Sequence, residues 1–378
     1  MNAEKPLVLY GSPMSLYTAR VRSYFIKRGI AYSERPPHAS KYFHEKILPK
    51  AGGRRSMPTI EFNDGTVIRD GVAILDYFEQ LNDYEYSPRP PKQKIVSLLL
   101  DVIGAEGLLR PAMHYRWNYY DNEHFEFNRF HFEALFKGDD KAADLANERI
   151  DLLFENALPG FGIVPETHGL IERMHRSLLE KLNRHFSLFP YLLGSKPSIG
   201  DFGLMAPFGH LGRDPKPLSL MLEQALRVFR WVERMHRPEA DMGEFLHENE
   251  EFIEGDEIPE TLVDILRHFA IDFVPETEAA CKAINEWLAE NPDLAAGTEA
   301  QRAVGQPGSF VIQGIELRTV AQPFRFYLLE RVIRTYEGLG DREQEEVLAM
   351  LKLCNMDKLL NYRISRPIGR KDNLEVWL

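Results

Sequence analysis

Three features of the sequence predict an α+β amino-terminal domain, an all-helical domain after it and a mostly helical extension. Across residues 1–82, short β-branched or aromatic runs and helical periodicity follow one another in the order β-α-β-α-β-β-α. Residues 93–237 carry mainly the 3.6-residue apolar period, clearest at 170–186 and 221–235. Between them, Pro88, Pro90 and Pro91 among charged residues read as a linker.

The first run, Leu7-Val8-Leu9-Tyr10, is a short buried strand, broken by Gly11-Ser12-Pro13. From Ser15 or Leu16 to Arg28 the residues Val21, Tyr24 and Phe25 fall at helical spacing, and Gly29 stops the helix. Residues 30–33 are the second strand candidate, and residues 39–48 read as a short helix. Thr59–Phe62, the turn Asn63-Asp64-Gly65 and Thr66–Ile68 make a β-hairpin. Val72, Ile74, Leu75 and Phe78 supply the apolar face of the next helix. Beyond residue 238, helices are expected at 260–274 and 276–290. A hairpin or single strand follows at 310–317, then helices at 324–336 and 341–356. A capping box from Asp341 to Gln344 starts the last of these.

At 378 residues, with 44% hydrophobic and 27% charged residues, the chain has the composition of a soluble globular protein of two or three domains. Its net charge of −11 disfavours nucleic acid and anionic membrane as partners, since both would be repelled over most of the surface. No apolar run approaches the roughly 20 residues that a bilayer span needs. The start, Met1 to Pro6, lacks the basic and apolar regions of a secretory signal. Two cysteines, Cys281 and Cys354, give no disulfide framework, so a cytosolic, reducing setting is expected. Residues 239–260 hold ten acidic residues and no Lys or Arg, which reads as a solvated linker or face.

Several chemistries lack their residues. His168, Glu172 and His175 share a helix only loosely and have no third partner at metal-ligand spacing, so no metal site is expected. Gly160-Phe161-Gly162 follows no clear strand and lacks a third glycine, and there is neither a Walker A lysine nor a Gly-x-Ser-x-Gly elbow. Tyr115, Trp117, Tyr119, Tyr120, Phe125, Phe127, Phe130 and Phe132 form an aromatic cluster, with core or interface packing as the plain role of most of them.

Two segments carry a resemblance. Ser56-Met57-Pro58-Thr59-Ile60, followed by Arg69-Asp70-Gly71-Val72, resembles the second half of the thioredoxin-like domain of glutathione transferases. Gly194-Ser195-Lys196-Pro197-Ser198-Ile199-Gly200-Asp201 is similar to a capped-helix segment of that family's helical domain, with Ser198 as N-cap and Asp201 at N3. The resemblance implies a cis Met57–Pro58 bond. It also implies that the Met57 backbone meets the cysteinyl part of glutathione, and that Asp70 at the helix start receives the γ-glutamyl ammonium. Gly71 departs from the serine usual there, leaving only its backbone N–H for the ligand carboxylate. Arg54, Arg55 and Arg69 are candidates to pair with a glutathione carboxylate, or are surface charges.

The family places a hydroxyl or thiol at the first strand–helix junction to hold glutathione as its thiolate. Lowering a thiol pKa by about two units takes roughly 2.7 kcal/mol, within reach of a hydroxyl donor at a helix N-terminus. Aligning Ser12-Pro13-Met14-Ser15 with the serine- and cysteine-type pattern puts Ser15 in that role. Ser12 and Tyr10 are the other hydroxyls present, and a bare helix cap is the alternative for Ser15. The implied protein is a homodimeric glutathione transferase, with glutathione as co-substrate and a hydrophobic electrophile held near the aromatic cluster. The rival is a non-catalytic member of the fold that binds a ligand or partner.

Overall fold

A computed structural model describes residues 6–38, 40–119, 122–245 and 249–378. Met1 to Lys5, Ala39 and Tyr120 thus lie outside the described residues. The amino-terminal sheet has four strands: β1 (Leu7–Tyr10), β2 (Tyr32–Arg35), β3 (Thr59–Glu61) and β4 (Val67–Arg69). Their order is β2-β1-β3-β4, with β1 and β2 parallel and the other neighbours antiparallel, and α1 (Leu16–Arg28) and α2 (Gly71–Leu81) complete a thioredoxin-like domain. Local signals explain most boundaries. Ser15 caps α1, and Gly29 ends it at φ 64°, a left-handed conformation that costs glycine little. Gly65 takes φ 81° in the β3–β4 turn, where Thr66 N–H donates to Asp64 at 2.8 Å. Met57–Pro58 is cis. Two expectations shift: the second strand starts at Tyr32 rather than at residue 30, and the short helix expected over 39–48 is π-helical at Phe43–Ile47.

Helices follow: α3 (Pro91–Glu106), α4 (Leu109–Trp117), α5 (Asn122–Leu135), α6 (Ala142–Leu152), the single turn α7 (Leu158–Gly160), α8 (Pro165–His185), α9 (Ile199–Leu211), α10 (Pro215–Gln224) and α11 (Leu226–Met235). Every residue of α9 is buried, and α9 is the axle of the molecule, packed on α1 and α3. The contact with α3 is backbone on backbone. A Cβ on Gly104 would fall 2.2 Å from the Gly203 carbonyl, so only glycine fits. The box at the start of α9 forms: Ser198 N–H donates to Asp201 at 2.8 Å and Asp201 N–H to Ser198 at 3.4 Å. The second Asp201 oxygen accepts from Leu192 N–H and Trp231 Nε1, each at 3.1 Å.

The extension is α12 (Glu260–Glu290), the hairpin β5 (Gly308–Ile312) and β6 (Ile315–Thr319), α13 (Pro323–Glu337), α14 (Asp341–Leu353) and the hairpin β7 (Ile368–Lys371) and β8 (Leu374–Trp377). Its apolar residues Ile265, Phe273, Leu328, Val347 and Trp377 share one continuous core with α3 and α9. Two readings change here. The two helices expected around Pro275 are one. Asp272 and Glu276, one turn apart across the proline, are both held by Arg110, at 3.0 and 2.8 Å, which ties the two sides of the proline together. The α14 box sits one residue earlier than expected: Gly340 N–H donates to Glu343 at 3.0 Å. Among the described residues no helix is long and apolar enough to cross a membrane.

Candidate functional site

The sheet's pleat separates the three hydroxyls at the first strand–helix junction. Leu9 joins the main core, so its neighbour Tyr10 faces the opposite side, against Phe43, Ile47 and Val67. There the Tyr10 hydroxyl donates to Glu61 at 2.8 Å, and burial together with that carboxylate pushes its pKa well above the usual phenol range. Ser12 is buried, and its oxygen accepts from Met14 N–H at 3.3 Å, inside the loop. Ser15 is half-buried at the start of α1, and its oxygen accepts from Thr18 N–H at 3.3 Å. Among the described residues neither the Ser12 nor the Ser15 hydroxyl donates to a partner, and Ser15, half-buried where Ser12 is 2% exposed, is the better placed to donate outward.

Arg116 fixes the loop that carries Ser15. Its Nη1 donates to the Met14 carbonyl at 2.9 Å, while Nε and Nη2 hold Asp214 at 2.7 and 2.9 Å. Burial alone would raise the Asp214 carboxyl, but His210 and Arg116 hold it below the usual carboxylate range, so a full charge anchors the loop. Met57, before the cis proline, is half-buried, and neither its N–H nor its C=O is bonded among the described residues. Met14 and Met57 pack with Trp117, Phe132, Ile150 and Phe154 in an apolar lobe joining the first domain to α4–α7. Of the aromatic cluster, Trp117 and Phe132 are buried in this lobe. Tyr115 lies in the main core, Phe130 is exposed, Tyr119 donates to Glu172 at 2.6 Å, and Phe125 and Phe127 are half-buried.

The start of α2 is arranged differently from what the sequence implies. Asp70 caps the helix, with Oδ1 accepting from Val72 and Ala73 N–H at 2.8 and 3.0 Å. Its Oδ2 is paired with Arg370 of β7, whose second nitrogen donates to the Arg69 carbonyl. Arg69 is buried, with Nη2 on both Glu375 oxygens at 2.6 and 2.8 Å and Nε on the Asn373 carbonyl at 2.6 Å. Arg54 reaches Glu375 at 3.1 Å and also pairs with Glu299. Gly71 is buried, and a Cβ there would meet Arg20 at an ordinary 3.4 Å. Asp70, Arg69 and Arg54 are therefore already engaged by the 368–377 hairpin and the 299–300 segment. Nothing local in the sequence announces this. The available signal was Asp372-Asn373, both at positive φ (49° and 64°), between two four-residue strands.

Arg55 and Arg302 lie side by side. Both are exposed, and Arg302 donates to the Arg55 carbonyl at 2.9 Å. Arg149, exposed on α6, lies close enough to act electrostatically on Arg302, and among the described residues none of the three forms an ion pair. Burial and then Arg55 and Arg149 lower the nearby His38 to about 4. No thiol of the protein enters. Cys281 and Cys354 are both buried in the extension core, where burial raises each to about 11. A separate cavity of about 40 Å³ lies between α8 and α12, lined in part by His175 and His268 and by none of these site residues. Among the described residues no group of three or more His, Cys, Asp or Glu is placed to hold a metal ion.

Residues 9–89 match the family model of the glutathione S-transferase N-terminal domain. No curated protein matches the chain. Among solved structures, the chain is similar to the β-etherase LigF from Sphingobium sp. strain SYK-6 at 16% identity, over 64% of this chain and 99% of that one, with a TM-score of 0.42. It is also similar to poplar glutathione transferase F1, at 15% identity over 64% and 96% with a TM-score of 0.37. A third is a glutathione S-transferase from Methylobacterium radiotolerans in complex with glutathione sulfonate, at 14% identity over 62% and 92% with a TM-score of 0.38.

Proposed function

Residues 9–89 are a glutathione S-transferase N-terminal domain, and from that premise we propose that the protein is a transferase that activates a thiol for attack on a hydrophobic electrophile. The observation that carries this reading is the position of Ser15. It stands at the N-terminus of α1 with a proton to donate, the loop that carries it is held by Arg116, and Met14 before it faces the apolar lobe that also packs Met57. A thiolate there gains a hydroxyl donor and the positive end of the helix dipole, and low local polarity strengthens both. The Met57 N–H and C=O fix the ligand backbone. Met14, Trp117 and Phe132 shelter the electrophile. In the reaction the thiolate sulfur forms a bond to an electrophilic carbon, the bond to the leaving group breaks with its electron pair, and the thiol proton passes to solvent. Glutathione, the family's co-substrate, is the first thiol to try.

Ser15→Ala tests this. With a panel of aryl and alkyl electrophiles, turnover should fall by about 10- to 1000-fold, the value of one donor to a developing anion, and the thiolate absorbance of the bound ligand should titrate at higher pH. Unchanged rate and unchanged absorbance would remove Ser15 from the role. A second reading, a non-catalytic binding protein, is favoured by one observation: Asp70 is already paired with Arg370. It predicts thiol binding without turnover for every electrophile tried.

A further inference from the structure

The 368–377 hairpin places a cation and an anion side by side at the start of α2. Arg370 pairs with Asp70, Glu375 pairs with Arg69 and Arg54, and Arg370 and Glu375 meet each other at 3.0 Å. An ammonium and a carboxylate so arranged are the charges of an α-amino acid head. The hairpin is built in rather than laid on. Glu375 is 2% exposed and Trp377 is fully buried against Trp287. Asn373 extends the edge of β4 by hydrogen bonds to the Val67 carbonyl at 2.9 Å and from the Arg69 N–H at 3.2 Å, and it also donates to the Lys50 carbonyl at 3.0 Å. Leu374 packs directly on Gly52, where a Cβ would fall 2.4 Å from its Cγ. A ligand bringing its own amino acid head would have to uncover this buried network and leave Arg69 without its anion.

What remains accessible beside Ser15 and Met57 is bordered by cations. Arg55, Arg149 and Arg302 are exposed and unpaired among the described residues, on a protein whose net charge is −11. They group together beside Met57: Arg55 stands two residues before it, Arg302 is bonded to the Arg55 carbonyl, and Arg149 lies close enough to act electrostatically on Arg302 and, with Arg55, on His38. Guanidinium groups without carboxylates are suited to carboxylate or sulfonate.

Resting on the thiol-activating reading above, we propose that Arg370 and Glu375 permanently replace the amino acid head of the ligand, and that the cleft selects a small anionic thiol without such a head, its charge received by Arg55, Arg149 and Arg302. The probes are 2-mercaptoethanesulfonate, glutathione and the cationic 2-mercaptoethylamine, titrated calorimetrically into the full chain. The sulfonate should bind at least tenfold more tightly than either of the others. Arg55→Ala and Arg302→Ala, both at exposed positions, should each weaken it by about 3- to 10-fold. Arg370→Ala uncovers Asp70 and should improve glutathione binding by tenfold or more. If that variant does not fold, the two exposed arginines decide. Glutathione binding more tightly than the sulfonate to the unaltered chain overturns this inference and leaves the thiol reading standing. No binding of any thiol at 10 mM overturns both.

Discussion

Replacing Glu375 by alanine should release the 368–377 hairpin. The loss follows from what each arginine keeps. Arg54 retains Glu299 and the Ala300 carbonyl, and Arg370 retains Asp70. Arg69, its side chain only 4% exposed, retains the Asn373 carbonyl and no carboxylate. Leaving one such charge buried without its partner costs about 3–5 kcal/mol. At 1.4 kcal/mol per tenfold, the open hairpin should gain population by about a hundred- to a few thousand-fold. Hydrogen exchange reads this directly. The amides of Gly297, Ala300 and Trp377 bond to Trp377, Glu375 and Thr298 carbonyls at 2.7, 2.8 and 2.9 Å, and each should lose protection by that factor while the amides of α9 keep theirs. Arg69→Met combined with Glu375→Met removes both charges together, so the pair should cost less than either single change. A loss of protection under about fivefold in Glu375→Ala, or additive costs in the double variant, would refute the claim that this ion cluster fastens the hairpin.

Two further outcomes follow from burial. Gly104→Ala should lower stability by about 3 kcal/mol or more, read as a shifted urea midpoint, because its Cβ would meet the Gly203 backbone at 2.2 Å and neither helix can yield locally; a shift below 1 kcal/mol would contradict the packing described. Acid should destabilise the fold. Burial lowers His175 to about 3 and both His185 and His268 to about 4, so their stability is present above about pH 6.5 and is lost as pH falls towards 4, at up to about 1.4 kcal/mol per pH unit each. Burial raises Glu106 to about 7 and Asp272 to about 6, and these gain stability as pH falls towards about 4.5, opposing the histidines. Stability measured by denaturant titration should therefore decline from about pH 6.5 to 4 with a net slope of about one histidine, three losses against two gains, and level off below, and His175→Leu should remove most of that slope. A flat profile from pH 7 to 4 would count against these assignments.

The parts of the fold readable in the sequence are those whose cause is local. Asn63-Asp64-Gly65 fixes its hairpin, Ser198 and Asp201 cap each other three residues apart, and Gly29 stops α1 by its own φ. Where a distant partner decides, local reading gives a different answer. Pro275 reads as a helix break, but Arg110, more than 160 residues earlier, holds both sides of it. The site divides in the same way. Short motifs single out Ser15 and Met57 as candidates. Tyr10 shares the junction in sequence, yet strand alternation sends it to the other face of the sheet. That Asp70 is covered by Arg370 could not be read from spacing, because the two are 300 residues apart.

The same separation has a consequence in time. Arg69 and Glu375 are 306 residues apart. At about 5–20 residues per second, roughly 15–60 s of synthesis pass between them. The sheet and α2 can form early in that interval, while Asp70 and Arg69 face solvent with no countercharge from residues 370 and 375. The first domain therefore reaches its final charge balance only late, after residues 370–375 have been made.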